Sequence, residues 1–513
     1  MRAKVPHPRH SGESAWRGAL PALLALSAAL PYLPALGAGF VWDDRLHLLG
    51  EARALHVDQA FARFWQSEGV YHRPAVFVSY ALEAGLWGIS PFSAHLANLA
   101  LHALNTVLVF TVARRSGVAR SAAALAALLF AVHPIQSEAV AYVSGRTDLL
   151  MTAAALAAFG LVVRTQDERG SPPHPMIRGT GAALMTALAI LSKESGYLVG
   201  PLLSWTAYRR GGAWPWLVRV AGPALLVTAV LFALRPTALP GGLDGPMATL
   251  ASVGRTAAEY ASLLVWPHDL EVDRLVATPA TGMSQAPWVV AALVLVAAVA
   301  VGLRRPGSVG DWTAWAGAFY LPVSNAVAIY PDIARQALFA PEHNLYAPLA
   351  GIAVLAAVGA ERVQEVVGTR WRRMAWAGIF AVLVLWGGRT WARCYDWRDE
   401  RSLFQSAASA GSSSPRVWFN LGNALVGAGR FEDAAGAYGR ATEIAPGDAD
   451  AWLNLGVALQ KQGRLGDALA AYERSATLRA TAQVHRNIAS LHLARGDAAA
   501  AEASLARARQ LQE

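Results

Sequence analysis

The stretch PWVVAALVLVAAVAVGL, residues 287–303, contains no charged residue and is about as long as a helix that crosses a bilayer. Arg304 and Arg305 follow it directly. Similar apolar segments recur up to about residue 391, and together they predict about eleven membrane spans. Their approximate ranges are 18–39, 93–113, 120–134, 148–163, 178–193, 196–208, 214–234, 287–303, 311–329, 344–360 and 374–391.

The composition agrees with a membrane protein. Of 513 residues, 54% are hydrophobic and 15% are charged, which is too apolar and too charge-poor for a soluble protein of this length. The net charge of +9 comes from short arginine clusters between apolar runs, a pattern that favours cytoplasmic loops over a nucleic-acid surface. The single cysteine, Cys394, excludes an intrachain disulfide, and no Cys/His cluster suggests a zinc or iron–sulfur site.

The arginine clusters also predict a topology. They fall on one side when the spans alternate, and the positive-inside bias identifies that side, with the N-terminus, as the cytoplasm. The first apolar segment is interpreted as an uncleaved helix, and residues 248–266 as a re-entrant or interfacial helix. Loop 40–92 and the C-terminal domain are then outside. The few basic residues on this outer side need anionic partners such as lipid phosphate; they are Arg73, Arg146, Lys193, Arg235, Arg274 and Arg335.

The C-terminal part repeats with a period of 34 residues. VWFNLGNALVGAGRFEDAAGAYGRATEIAPGD (417–448) matches AWLNLGVALQKQGRLGDALAAYERSATLRA (451–480), and a degenerate third unit starts near Gln483. This is the tetratricopeptide signature, in which each unit forms two helices and small residues allow the paired helices to approach. The repeats predict an α-solenoid that either docks a peptide or partner or serves as a stabilising cap.

An acidic pair follows the first apolar segment in FVWDD, residues 40–44. Asp43 and Asp44 there are either the solvated start of a loop or a functional site. Burial close to lipid raises the pKa of a carboxylate and makes it a better base, which is what deprotonation of a glycosyl-acceptor hydroxyl requires.

Six strings carry a family resemblance. They are FVWDD, YHRPAVFVSYALEAGLWGISPFSAHLANLALHALN (71–105), HPIQSEAVAYVSGRTDLL (133–150), LSKES (191–195), LPVSN (321–325) and PEHNLYAPLAG (341–351). In this order, ahead of terminal repeats, they resemble the transmembrane and tetratricopeptide-repeat O-mannosyltransferase family and its bacterial relatives, which have the GT-C fold. The resemblance implies an all-α chain: a GT-C-like membrane domain over residues 1–393, a linker over 394–414 and repeats over 415–513.

The resemblance further implies a polyprenyl-phosphate-sugar-dependent glycosyltransferase that needs no cofactor and in which a divalent metal is optional. Its partners are the lipid-linked sugar, membrane lipid and an acceptor protein or peptide, without nucleic acid. The family's acidic pair falls on Asp43 and Asp44. We expect Asp43 to deprotonate the acceptor hydroxyl and Asp44 to orient a substrate, although the two roles could be exchanged.

Fixed cations near the reacting carbon would stabilise the departing lipid phosphate. Arg146, held by Asp148, is the first candidate; Lys193, paired with Glu194, is the second; and Arg73 is the third. For both pairs the alternative is a purely structural salt bridge.

Other candidates have less defined roles. His133 and Glu138 would bind sugar hydroxyls or shape the loop, with a helix-terminal histidine as the alternative for His133. Relatives read Glu-Arg-Tyr-Leu-Tyr where this chain has Glu342, His343, Asn344, Leu345 and Tyr346, so a basic residue that would help to bind phosphate is replaced. Arg335, a few residues upstream, is a candidate to compensate.

Three other functions compete with this interpretation. One is a non-catalytic scaffold that presents its repeats to envelope proteins. A transporter is disfavoured because no internal duplication is evident. An oligosaccharide ligase would be expected to carry its large outer loop later in the chain. Ala- and Arg-rich usage suggests a bacterium with GC-rich DNA, and hence an inner-membrane protein with periplasmic repeats.

Overall fold

The computed structural model describes residues 11–45, 73–163, 174–211, 214–234, 245–278, 282–326 and 337–512. It divides into two compact units. The first takes in most of the chain up to Arg398, and the second consists of the chain from Asp399 together with the short segments 269–276 and 339–341.

The first unit is built almost entirely of helices. Its α-helices are α1 (Ser11–Ala29), α2 (Pro74–Trp87), α3 (Pro91–Arg115), α4 (Arg120–Val132), α5 (Ser137–Ala141), α6 (Arg146–Val162), α7 (Pro175–Ser192), α8 (Val199–Arg209), α9 (Trp214–Trp216), α10 (Gly222–Ala233), α11 (Pro246–Val265), α12 (Ala286–Arg304), α13 (Ser308–Tyr320), α14 (Tyr346–Val366) and α15 (Thr369–Cys394).

Short irregular helices and one small sheet complete the described chain. The 3-10 segments are Leu30–Gly37, Pro134–Gln136, Val143–Gly145, Glu194–Leu198, Gly282–Gln285, Leu321–Val323 and Glu342–Leu345, and Leu217–Ala221 is a π-helical turn. Two three-residue strands, Leu275–Ala277 and Ala337–Phe339, pair with each other.

Local sequence explains where several helices begin and end. Helix α3 starts at a capping box in which Ser90 and Ser93 each accept the other's backbone N–H, and Pro91 occupies the first turn. Arg114 and Arg115 lie in its last turn, where positive charge favours the helix dipole. Helix α4 ends at Val132 because a proline follows two residues later.

Six described helices are long and apolar enough to cross a membrane, so the chain is a multi-pass membrane protein. They are Gly18–Gly37, Pro91–Arg115, Val143–Val162, Pro175–Ser192, Gly282–Arg304 and Glu342–Val366. Arg120–Val132 and Pro134–Ala141 make a seventh if this pair, bent by 52°, is counted as one span. The other predicted spans coincide with shorter or more charged helices, and the count of about eleven stays a prediction. The segment 248–266, predicted to be re-entrant or interfacial, belongs to α11 except for its last residue, Trp266.

The second unit consists of consecutive helices. They are α16 (Glu400–Ser409), α17 (Pro415–Gly427), α18 (Phe431–Ile444), α19 (Ala449–Lys461), α20 (Leu465–Leu478), α21 (Ala482–Ala494) and α22 (Ala498–Gln510). The last six form three hairpins, as the repeat predicts, and α16 lies inside the stretch predicted as a linker.

Glycine is required where the paired helices meet. A Cβ on Gly422 would lie 2.5 Å from Tyr438 Cε1, and one on Gly456 would lie 2.5 Å from two ring atoms of Tyr472. The same contact thus recurs in the first two repeats, which explains why the glycine and the tyrosine repeat together.

Candidate active site

The acidic pair lies after the first apolar helix, and its two carboxylates have different surroundings. Asp44 is fully buried, whereas Asp43 is partly exposed. Asp44 Oδ1 accepts the backbone N–H of Ser144 at 2.8 Å and its hydroxyl at 2.7 Å, and Oδ2 accepts the N–H of Val41 at 3.3 Å. The protein itself therefore holds Asp44, and Asp43 is the member of the pair with a surface that an incoming molecule can reach.

Burial also changes the acidity of Asp44. It raises the pKa of the Asp44 carboxyl from 3.8 to about 7, although the hydrogen bonds from Ser144 and Val41 act in the opposite direction. The sequence argument expected burial to raise the pKa of a carboxylate here, and the buried member is Asp44. At neutral pH, Asp44 is therefore divided between its neutral and its ionised form.

An aromatic stack adjoins the acidic pair. The ring centroids of Trp42 and Tyr142 are 5.9 Å apart, and those of Tyr142 and Trp397 are 5.4 Å apart, both in stacked orientation. The backbone of Trp42 has a φ of 52°, in the left-handed region that costs a bulky residue about 1 kcal/mol or more. The stack thus fixes an otherwise unfavourable backbone immediately before Asp43. Sequence reasoning missed it, although Tyr142 lies inside the string HPIQSEAVAYVSGRTDLL (133–150).

Arg146 is buried at the start of α6 and is bound by protein groups. Its Nη1 pairs with Glu83 at 2.9 Å, its Nε donates to Asn98 Oδ1 at 3.0 Å, and its Nη2 donates to the carbonyl of Ala94 at 3.0 Å. The guanidinium carbon also lies 4.3 Å from the ring centroid of Tyr80. With 2% of its side chain exposed, Arg146 connects α2, α3 and α6 and offers little of itself to a ligand.

Both ion pairs expected from sequence neighbours are wrong. Arg146 does not pair with Asp148, because residues two apart on a helix point to different sides. Asp148 Oδ1 instead lies 2.7 Å from Lys193 Nζ. Lys193 has an extended backbone, so its side chain and that of Glu194 point to opposite sides, and Glu194 pairs with Arg73.

The Arg73–Glu194 pair is bidentate and partly exposed. Arg73 Nη2 and Nε lie 2.9 Å and 3.3 Å from the two carboxylate oxygens of Glu194. Burial alone raises the pKa of the Glu194 carboxyl, but the Arg73 guanidinium outweighs this effect and lowers the pKa below its ordinary value. Since Glu194 follows Lys193 directly, Arg73, Glu194, Lys193 and Asp148 form one cluster of alternating charge, which we call the charge cluster.

His133 has a helix-terminal role in the structure. Its Nε2 lies 3.0 Å from the carbonyl of Leu264, and its Nδ1 accepts the N–H of Ile135 at 3.2 Å. Both ring nitrogens are therefore used by the backbone. This geometry favours the structural alternative over contact with a sugar.

Glu138 is buried and contacts the histidine that departs from the family pattern. Its Oε2 accepts the N–H of His343 at 2.9 Å, and its Oε1 lies 2.9 Å from His343 Nδ1. The imidazole that replaces the family's basic residue therefore contacts Glu138 directly. Both residues were noted in the sequence, but their contact could not be predicted because 205 positions separate them.

The remaining candidates are less informative. Glu342 is buried in the turn Glu342–Leu345. Arg335 and Arg235 lie outside the described residues. Arg274 is buried, 3.7 Å from Glu271. Within the described ranges no group of three or more His, Cys, Asp or Glu side chains could hold a metal ion, and the metal-optional expectation stays a prediction.

Comparisons with known proteins agree with the family resemblance. The Tetratricopeptide repeat family model matches residues 419–483. The chain is 28% identical over 486 residues to Protein O-mannosyl-transferase TMTC3 of Mus musculus, a match that covers 84% of this chain and 51% of that protein. It is 26% identical over 524 residues to Protein O-mannosyl-transferase Tmtc1 of Drosophila melanogaster, covering 79% of this chain and 59% of that one. The chain thus spans about half the length of the curated relatives that it matches.

Among solved structures, ArnT from Cupriavidus metallidurans bound to undecaprenyl phosphate aligns with a TM-score of 0.41 and 15% identity, over 90% of this chain and 80% of that one. The crystal structure of YrrB, a TPR protein, aligns with a TM-score of 0.22 and 16% identity, over 42% of this chain and 92% of that one.

Proposed function

Because this chain is a homologue of the transmembrane and tetratricopeptide-repeat O-mannosyltransferases, we propose that it transfers a hexose from a polyprenyl-phosphate donor to a hydroxyl acceptor. Mannose is the sugar named in its relatives. The acceptor is a protein or peptide that the repeats dock. The reaction takes place on the extracytoplasmic side.

The observation that carries the proposal is the difference in exposure and hydrogen bonding between the two members of the acidic pair. Asp43 combines a carboxylate with partial exposure, while Asp44 is buried and hydrogen-bonded to Ser144 and Val41. Asp43 acts as the general base that removes the proton of the acceptor hydroxyl. Asp44 acts through the backbone, because its hydrogen bonds fix the turn that carries Asp43.

The bond changes follow from this assignment. The acceptor oxygen forms a bond to the anomeric carbon of the hexose as Asp43 takes up the hydroxyl proton. The bond between the anomeric carbon and the phosphate oxygen breaks, and the polyprenyl phosphate leaves with the electron pair. Water then accepts the proton from Asp43 and restores the carboxylate.

The departing phosphate gains negative charge and needs a fixed cation. Lys193 and Arg73 are better candidates than Arg146, because their side chains are 12% and 22% exposed. In the charge cluster each of them also has a carboxylate partner that holds it in place. We therefore assign the phosphate to Lys193 and Arg73, and a structural role to Arg146.

The location of the reaction rests on the distribution of charge. Arg114 and Arg115 end one span, and Arg304 ends another, as the positive-inside bias expects of cytoplasmic helix ends. The acidic pair, at the far end of the first span from the N-terminus, then faces the exterior. A bacterial inner membrane with periplasmic repeats fits this arrangement.

The test is incubation of the purified full chain with a panel of polyprenyl-phosphate hexoses and a hydroxyl-bearing peptide, scored for release of polyprenyl phosphate. We expect cleavage of at least one donor, and loss of about a hundredfold or more in rate for Asp43→Asn at an unchanged thermal unfolding midpoint. Equal rates for Asp43→Asn and the wild type would reject Asp43 as the base. No cleavage of any donor would favour the non-catalytic scaffold.

A further inference from the structure

The aromatic stack of Trp42, Tyr142 and Trp397 has no role in the proposed bond changes. The ring of Tyr142 stacks with two indoles, with ring centroids 5.9 Å apart for Trp42 and 5.4 Å apart for Trp397. Tyr142 and Trp397 are buried. Because two indoles stack on the Tyr142 ring, the ring has little surface left to stack on a ligand, and its hydroxyl oxygen is buried as well.

The hydroxyl group of Tyr142 is a hydrogen-bond donor without an acceptor among the described residues. Within the described ranges it has no hydrogen-bond partner, and the same holds for the Nε1–H of Trp397. The hydroxyl of Ser144 lies near Tyr142 but outside hydrogen-bonding geometry, and it donates its own proton to Asp44. A buried donor without a partner costs stability, so this donor is expected to meet a ligand group.

The surroundings of this hydroxyl select the kind of ligand group. Trp42 directly precedes Asp43, and both carboxylates of the acidic pair act electrostatically on the Tyr142 hydroxyl. A phosphate group would be repelled by the negative charge of the acidic pair. The acceptor's attacking oxygen is also a poor match, because a hydrogen bond to its lone pair would weaken it as a nucleophile. A hydroxyl of the donor hexose fits, since it can accept from Tyr142 and donate to a carboxylate.

We propose that Tyr142, held by the Trp42–Tyr142–Trp397 stack, is a sugar-positioning residue whose hydroxyl donates a hydrogen bond to a ring hydroxyl of the donor hexose. This inference rests on the proposed function. It adds a contact that fixes the anomeric carbon relative to Asp43. The tyrosine takes part in no proton transfer.

The test compares kcat and KM for a polyprenyl-phosphate hexose in the wild type, Tyr142→Phe and Tyr80→Phe. Tyr80 is the matched control, because it is also buried in this region but its hydroxyl already donates to the carbonyl of Val143 at 3.0 Å. Tyr142→Phe should raise KM about three- to tenfold without lowering the unfolding midpoint, since it removes no internal hydrogen bond. Tyr80→Phe should lower the midpoint and leave KM unchanged.

Deoxy-hexose donors identify the contact. For one deoxy position, the wild type should lose the same three- to tenfold, and Tyr142→Phe should lose nothing further, because the two changes remove the same hydrogen bond. An unchanged KM in Tyr142→Phe, or losses that add for every deoxy position, would overturn the inference while leaving the transferase intact.

Failure of the proposed function can be distinguished from failure of the inference about Tyr142. If the wild type turns over no donor, direct binding of the same donors to wild type and Tyr142→Phe decides the inference. Three- to tenfold weaker binding to Tyr142→Phe supports it, and equal or undetectable binding to both overturns it.

Discussion

Asp44 Oδ1 accepts two hydrogen bonds from Ser144, from the backbone N–H at 2.8 Å and from the hydroxyl at 2.7 Å, across 100 positions of sequence. The contact joins the turn after the first span to the turn that precedes α6. The turn that carries Asp43 is thereby fixed to the helical framework through a carboxylate that is not itself the proposed base.

The raised pKa of Asp44 predicts a pH dependence of stability. The folded protein keeps a proton on this group up to about pH 7, whereas the unfolded chain loses it near the ordinary value of 3.8. Stability contributed by this group therefore falls as pH rises from about 4 to 7, by at most about 4 kcal/mol, and is constant above. Asp44→Asn should show a smaller difference between unfolding midpoints at pH 5 and pH 8 than the wild type. Identical differences would contradict the assignment.

The two arginine–glutamate pairs should differ in their effect on stability. Arg146→Met leaves Glu83 buried and uncompensated, and should lower the unfolding free energy by about 3–5 kcal/mol. Arg73→Met breaks a partly exposed pair and should cost about 1 kcal/mol or less. Denaturant titration of both variants in detergent checks this. Equal losses of unfolding free energy in the two variants would contradict this predicted difference between the pairs.

The role of Lys193 can be separated from its contribution to folding. Lys193→Met alone leaves Asp148 buried without its partner, so it should lower both stability and donor turnover. Lys193→Met combined with Asp148→Leu removes both charges and should recover the unfolding midpoint, while turnover stays about tenfold or more below that of the wild type. Recovery of turnover in the double variant would assign Lys193 a structural role only.

The topology predicts which surface positions accept a membrane-impermeant thiol reagent in intact cells. Cys394 is buried and is first replaced by serine. In that background, Trp87→Cys in the first outer loop should be labelled, and Arg305→Cys after α12 should be labelled only after the membrane is opened. Both positions are exposed in the structure, so accessibility of the side chain does not distinguish them. The reverse pattern would place Asp43 in the cytoplasm.

Local and periodic features of the fold were predictable from sequence. The 34-residue repeat predicted three helix hairpins, and each apolar segment predicted a helix, because both signals lie within one element. The number of spans was harder to predict, since helices such as α8, with 11 residues, are shorter than a bilayer crossing.

The candidate residues could be named from the sequence, but their pairings could not. The motifs supplied Asp44, Arg146 and Lys193, whereas their partners Ser144, Glu83 and Asp148 lie 100, 63 and 45 positions away. Neighbours in sequence were expected to pair, and the alternation of side-chain directions along helix and extended chain prevented it. Such contacts are set by helix packing, which no local pattern encodes.

The glycine–tyrosine contact that recurs at Gly422 and Gly456 makes the C-terminal array extensible. Within each of these two hairpins the paired helices meet through the same contact of a glycine with a tyrosine ring, and arrays of this kind gain stability repeat by repeat. A duplicate of residues 417–450 inserted ahead of Ala451 would present two compatible ends, so the array could be lengthened by genetic splicing while the spans remain untouched. The length of the surface that we propose to hold the acceptor would then become an adjustable parameter.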